Sequence, residues 1–149
     1  MSGPEEKEPI DFILANVCHL HRLRAHQLLE ALGLYQGQPH VLRELWKHEG
    51  LTQTDLAALL KIAPATVTKM LQRMEKAGFI QRKPDAQNRR ISRVYLTVKG
   101  CAVQAEVEHV FEILQSETFT KLVEEERSLL HRLLLQIREN LLNATGEEP

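Results

Sequence analysis

The stretch Thr52-Gln53-Thr54-Asp55-Leu56-Ala57-Ala58-Leu59-Leu60-Lys61-Ile62-Ala63-Pro64-Ala65-Thr66-Val67-Thr68-Lys69-Met70-Leu71-Gln72-Arg73-Met74 decides how this chain is read. Thr52 with Asp55 three residues later has the form of a helix N-cap followed by an acidic third position, ahead of Leu56, Ala57, Leu59 and Leu60. Pro64 suits the first residue of a second helix, because its fixed φ is already helical and its missing N–H would have no intrahelical partner there. That second helix turns Val67, Met70, Leu71 and Met74 inward and ends at Gly78. Its other face offers Ala65, Thr66, Thr68, Lys69, Gln72 and Arg73. A short helix, a three-residue turn and a second helix with a polar outer face make a helix-turn-helix pattern.

The periodicity changes directly downstream. Phe79 to Lys83 is a plausible strand, Pro84 to Arg90 a polar turn, and Ile91 to Thr97 alternates as a second strand, which together predict a hairpin. Upstream, Val41, Leu42, Leu45 and Trp46 predict a short helix from near Pro39 to Gly50. Ile10, Ile13, Leu14, Val17, Leu20, Leu28, Ala31 and Leu32 predict a long one after Pro9 and up to Gly33. After the hairpin, Thr97 can cap a long helix from Val98 to about Glu117. A last helix from about Val123 to Leu142 carries Leu130, Leu133, Leu134, Ile137 and Leu141 on one stripe.

The expected fold class is therefore mainly α with a small β-hairpin wing (α+β), a winged helix-turn-helix with long N- and C-terminal helices. We expect a single domain over residues 1–149. Its lobe spans 38–97, with the helix-turn-helix at about 52–75 and the wing at about 79–97. The helices over 9–33 and 98–143 have apolar faces too broad to stay uncovered, so they are expected to interleave with those of a second copy in a homodimer.

Charge is distributed unevenly along the chain. Lys61 to Lys99 holds ten of the nineteen Lys and Arg but two of the twenty Asp and Glu, a formal +8 against −9 for everything else. A positive block flanked by acidic arms is suited to a polyanion. One helix fits the major groove of duplex DNA when it presents polar side chains near its N-terminal end. Thr66, Thr68 and Gln72 can hydrogen-bond base edges or phosphates, with Gln53 nearby at the start of the first helix, while Lys69 and Arg73 neutralise phosphates. The helix-start amides around Pro64 and Ala65 also favour phosphate. At the hairpin tip, Asn88, Arg89 and Arg90, with Arg93 just beyond, form a wing able to enter the minor groove.

Other classes find little support. No apolar run approaches the roughly 20 residues that cross a bilayer, so no membrane partner is expected. The polar, acidic N-terminus is unlike a secretory or mitochondrial leader. Cys18 and Cys101 give no disulfide framework. A phosphate-cradling glycine loop, a nucleophile elbow and a His-Glu-x-x-His pattern are all missing, so no enzyme and no cofactor are expected. A winged-helix module that binds protein is the alternative. It calls for an apolar patch on the second helix, where Thr, Lys, Gln and Arg stand instead.

These residues resemble the MarR group of winged-helix transcriptional regulators, from about Ile10 to Leu142. The resemblance is carried by Thr52-Gln53-Thr54-Asp55-Leu56-Ala57, Pro64-Ala65-Thr66-Val67-Thr68, Met74-Glu75-Lys76-Ala77-Gly78-Phe79-Ile80-Gln81-Arg82 and Arg93-Val94-Tyr95-Leu96-Thr97-Val98-Lys99-Gly100. It implies a homodimer joined by its first, fifth and sixth helices on a pseudopalindromic DNA operator, acting as a ligand-responsive repressor in the cytoplasm, at the nucleoid. It places Thr66, Thr68, Lys69 and Arg73 in recognition-helix roles and Arg90 in the role of the wing arginine. The family's wing often reads Asp-x-Arg-Asp-x-Arg. Here Asp85 is followed by Gln87 and Asn88 in place of the first Arg and second Asp, so the carboxylate that could brace the wing arginine is replaced.

The same resemblance suggests what could be sensed. Peroxide-sensing relatives use a cysteine near the start of the first helix. Cys18 lies about two turns beyond that position and is expected to be a buried, inert thiol. Among seven histidines, His21 or His26 with His40 and His109 are the candidate ligands of a zinc site. Ile113 stands where zinc-sensing relatives complete a His-x-x-x-His pair, so no metal is expected. A small-molecule effector of unknown identity remains the expectation.

Overall fold

The structure, a computed structural model, describes residues 7–149, and residues 1–6 lie outside it. The chain divides into two compact units, one ending at Leu114 and one running from Gln115 to Pro149. In order the elements are α1 (Ile10–Glu30), α2 (Gln38–Lys47), β1 (Leu51–Thr52), α3 (Gln53–Leu60), α4 (Pro64–Lys76), β2 (Ile80–Pro84), β3 (Ser92–Leu96), α5 (Val98–Ala102), α6 (Gln104–Thr118) and α7 (Glu124–Thr145).

Local sequence explains the helix starts. Thr52 Oγ1 accepts the Asp55 N–H at 3.0 Å while Asp55 Oδ2 accepts the Thr52 N–H at 3.0 Å, a reciprocal cap on α3 of the kind that contributes about 1 kcal/mol. Lys61 ends α3 in the left-handed region at φ 53°, which turns the chain toward Pro64, the first residue of α4. Val67, Leu71 and Met74 are buried along α4, at the i, i+4, i+7 spacing read from the sequence.

The first unit's core joins Val41, Leu42 and Leu45 of α2, Leu56 of α3, the α4 stripe, Phe79, Ile80 and Val94. Burying each such side chain contributes about 1.5–3 kcal/mol. Val103, at the α5–α6 junction, and Val107 and Val110 on the inner face of α6 extend it.

Three features differ from the sequence reading. The hairpin is part of a three-stranded antiparallel sheet in the order β1-β3-β2, with Leu51 paired to Val94 and Ile80 to Leu96. The long helix expected from Val98 to Glu117 is two helices, α5 and α6, interrupted at Val103. The carbonyl of Gly100, which Gln104 N–H would use in an unbroken helix, accepts the indole N–H of Trp46 at 2.9 Å instead. Thr97 nevertheless caps α5 as expected, its Oγ1 accepting the Gly100 N–H at 3.1 Å. Finally, Cys18 is exposed rather than buried. Only Leu29 of α1 is buried, so the helix packs through its last turn and leaves Cys18 in the open.

In the second unit, α7 has no buried residue. Its start is fixed by Glu126 Oε2, which accepts the Val123 N–H at 3.0 Å, and by Arg127, which donates to the carbonyls of Leu122 and Phe119, each at 3.1 Å.

Candidate nucleic-acid interface

The outer face of α4 is built by what its inner face buries. With Val67, Leu71 and Met74 committed to the core, Ala65, Thr66, Lys69, Gln72 and Arg73 are exposed, as is Pro64 at the helix start. Thr68 is half-buried. Its hydroxyl donates to the Pro64 carbonyl at 3.1 Å and accepts from Gln53 Nε2 at 3.2 Å. Gln53 and Thr68 thus lash the start of α3 to the first turn of α4.

Two carboxylates organise the wing. Glu75, on the last full turn of α4, accepts both the backbone N–H of Arg82 at 2.9 Å and its guanidinium at 3.0 Å, clamping β2 to the helix. Asp85, at the far end of β2, accepts from Arg93 Nε and from the N–H groups of Gln87 and Asn88. Arg82 holds the Glu75 carboxyl below its ordinary pKa, and Arg93, then the Asn88 amide, do the same for Asp85. The Thr52 backbone and side-chain hydrogen bonds lower Asp55 likewise.

A carboxylate whose folded-state pKa is depressed contributes stability that is complete above the unfolded value of about 4 and fades as pH falls through the folded value. The protein should therefore lose stability steeply below about pH 4. In chemical denaturation followed across pH, Glu75→Gln should have a shallower acid limb than wild type; an equally steep limb would remove Glu75 from the set.

These pairs divide the positive block. Its two acids are engaged by Arg82 and Arg93. Lys83 lies over the Tyr95 ring, and Lys99 lies over Phe79 with its Nζ on the Ala77 carbonyl at 2.8 Å. Among the described residues, Lys69, Arg73 and Lys76 on α4 and Arg89 and Arg90 at the wing tip are exposed and have no carboxylate partner. Asn88 is exposed beside them, its Oδ1 accepting the Arg90 N–H at 3.2 Å. The predicted site residues therefore separate into an exposed set and a set held inward, comprising Gln53, Thr68 and Arg93. Sequence reasoning missed Glu75 and Arg82 as a clamp, although a carboxylate seven residues before an arginine, across a helix–strand junction, was a readable signal.

A cleft of about 840 Å³ opens beside α4. Tyr35, Gln38 and Arg43 are on one side and Thr66, Lys69 and Arg73 on the other. Gln38 is buried, with its Oε1 accepting the Tyr35 N–H at 3.0 Å. The zinc candidates do not assemble: among the described residues no three His, Cys, Asp or Glu groups come together as a metal site requires, and His109 lies against Glu112 at 3.5 Å. Cys101, like Cys18, is exposed.

Residues 34–92, from the α1–α2 loop through the wing turn, match the model of the MarR family. The HTH-type transcriptional regulator YybA of Bacillus subtilis is 33% identical over 114 residues, covering 74% of this chain and 73% of YybA. The chain belongs to the MarR family. Like other MarR proteins it is a transcriptional regulator, not an enzyme. The crystal structure of MarR itself matches it with a TM-score of 0.74 at 26% identity, over 97% of this chain and 99% of that one. Staphylococcus aureus MepR, solved as a complex with DNA, matches with a TM-score of 0.76 at 26% identity, over 90% and 99%. The winged lobe expected from the sequence is present, with β1 added to the hairpin. No helix among the described residues is long and apolar enough to cross a membrane.

Proposed function

We propose that this MarR-family regulator binds a pseudopalindromic operator in duplex DNA as a homodimer and acts there as a repressor that a small molecule releases. The observation that carries the reading is the exposed, carboxylate-free set Lys69, Arg73, Arg89 and Arg90 on the recognition helix and wing tip. Two cationic side chains on a groove-sized helix and two on an adjoining turn suit one duplex engaged in neighbouring grooves. Ala65, Thr66 and Gln72 share the exposed face of α4 with these cations, where base edges would be read. MepR, a protein of the same fold, has been solved as a complex with DNA, which supports DNA as the partner. The exposed face of α4 carries no large apolar side chain, which argues against a protein-binding module.

Dimerisation is supported by apolar surface left open in a single chain. On α1, Ile10, Ile13, Val17 and Leu20 are exposed at helical spacing, and on α7 Leu129, Leu133, Leu134 and Leu141 are exposed. A second copy covering these faces would bring two recognition helices to half-sites about one helical turn apart. The cleft beside α4, with Arg43, Lys69 and Arg73 in its walls, suits a small anionic effector. The place of action is the cytoplasm, at the chromosome.

Arg90→Ala tests the assignment. It should weaken binding to a selected operator about tenfold, as expected when one charge-assisted hydrogen bond at the wing is removed, and leave the dimer intact by sedimentation. Unchanged operator affinity in this variant would remove Arg90 from the interface.

A further inference from the structure

Asp85 lies where β2 ends and the wing turn begins. Its Oδ2 accepts the N–H groups of Gln87 at 3.1 Å and Asn88 at 3.0 Å, and its Oδ1 takes Arg93 Nε. Arg93 donates a second time, from Nη1 to the Gly50 carbonyl at 2.8 Å, in the loop ahead of β1. Asn88 Oδ1 accepts the Arg90 N–H, and the turn closes with Ile91 N–H on the Asn88 carbonyl at 2.9 Å and Asp85 N–H on the Ile91 carbonyl at 2.8 Å. A continuous chain of hydrogen bonds therefore runs from Gly50 in the lobe, through Arg93 and Asp85, to the backbone of Arg90. The Asp85 side chain is only 16% exposed, so its carboxylate faces this network rather than solvent.

We propose that Asp85 and Arg93 are positioning residues for DNA binding: they hold the wing so that Arg89 and Arg90 meet the duplex already ordered, and Arg93 does not itself contact DNA. The inference rests on the DNA-binding reading given above. With Asn88 in place of a second Asp, Asp85 is the one carboxylate between residues 84 and 91, and it grips the lobe through Arg93. A loose turn would have to be ordered on binding, which lowers affinity.

Charge and bracing predict opposite signs. Removing an acid from a surface that binds a polyanion should, by charge alone, tighten binding. Removing a brace should weaken it. The experiment uses a duplex that the wild-type protein selects from a random-sequence pool. It titrates wild type, Asp85→Ala, Asp85→Asn, Arg93→Ala, Arg90→Ala and the Asp85→Ala/Arg90→Ala pair at several salt concentrations, with thermal melts alongside.

Asp85→Ala should weaken binding about tenfold despite the removal of a negative charge. Asp85→Asn, which keeps an acceptor for the turn amides but not the charge facing Arg93, should fall between it and wild type, and it serves where the alanine variant melts early. Arg93→Ala should weaken binding without changing the log-log salt slope, whereas Arg90→Ala should lower that slope by about 0.9 for each phosphate no longer neutralised. Arg90→Ala should also cost much less in the Asp85→Ala background than alone, because an unbraced arginine already engages the duplex poorly. The proposal is overturned if Asp85→Ala binds as tightly as wild type, if Arg93→Ala lowers the slope as Arg90→Ala does, or if the effects of Asp85→Ala and Arg90→Ala simply add. If the wild type selects no sequence and binds no duplex, the DNA-binding reading fails first and takes the brace with it.

Discussion

Raising monovalent salt from about 50 to about 200 mM is expected to weaken operator binding by about 10³- to 10⁵-fold. The expectation follows from how the positive block is divided. Glu75 and Asp85 neutralise Arg82 and Arg93, so the paired charges release no counterions when DNA arrives. Lys69, Arg73, Arg89 and Arg90, on α4 and the wing tip, are among the cations left without a carboxylate, and in the proposed dimer both sets would meet the same duplex. With most of them on phosphates, the number of phosphates neutralised falls in the range that gives such a steep dependence. The measurement is a titration on the selected operator at four or more salt concentrations, plotted as log K against log salt. A slope near zero would sink both the DNA-binding assignment and the division of charge behind it.

The second large effect is on stability. Gly100→Ala is expected to destabilise the protein by about 3 kcal/mol or more, because it overpacks a site that cannot relax. A Cβ at Gly100 would lie 2.1 Å from the Phe79 carbonyl oxygen and 3.2 Å from Leu96 Cδ2. The oxygen is backbone and already accepts the Thr97 N–H at 3.1 Å. Nor can α5 back away freely, since the Gly100 carbonyl is held by Trp46 and the Gly100 N–H by Thr97. Thermal melts should show a fall of roughly 10 °C. Gly33→Ala is the matched control. Gly33 has φ +75° with nothing within 4 Å of its Cβ position, so only backbone strain of about 1–2 kcal/mol applies. Equal destabilisation in the two variants would show that the clash with Phe79 is not what Gly100 avoids.

Much of the fold was legible in the chain because its signals are local. Thr52 with Asp55, Pro64, and the Val67–Leu71–Met74 stripe each specify a helix start or face within a few residues, and each appears where expected. The features that escaped are set by partners far away in sequence. Leu51 and Thr52 are too few to show strand periodicity, and they form β1 only because Val94 and Arg93 lie alongside. The break at Val103 depends on an indole 54 positions from Gly100. Cys18 reads as a buried, inert thiol because it lies about two turns beyond the position used by peroxide-sensing relatives, but position along a helix does not say what covers it.

The site was legible to a similar depth. Composition located the basic block, and the helical pattern showed which side of α4 faces outward. What composition could not show is that some arginines serve the fold. Arg93 reads like Arg90 in a linear count, yet one bonds to Asp85 and Gly50 and the other is exposed at the tip. Distinguishing them requires the register of β3, which puts Arg93 opposite Lys83 on one side and Thr52 on the other, inside the sheet rather than at its end.

Trp46 is the chain's one tryptophan, and its indole hydrogen bond to Gly100 ties α2 to α5. Ultraviolet excitation selective for indole therefore draws emission from a single address in the molecule. That address is the half-buried seam between α2 and α5. The natural protein thus carries a dye-free optical reporter of whether the seam is closed, readable during a melt, a titration with DNA or an effector screen without altering one residue.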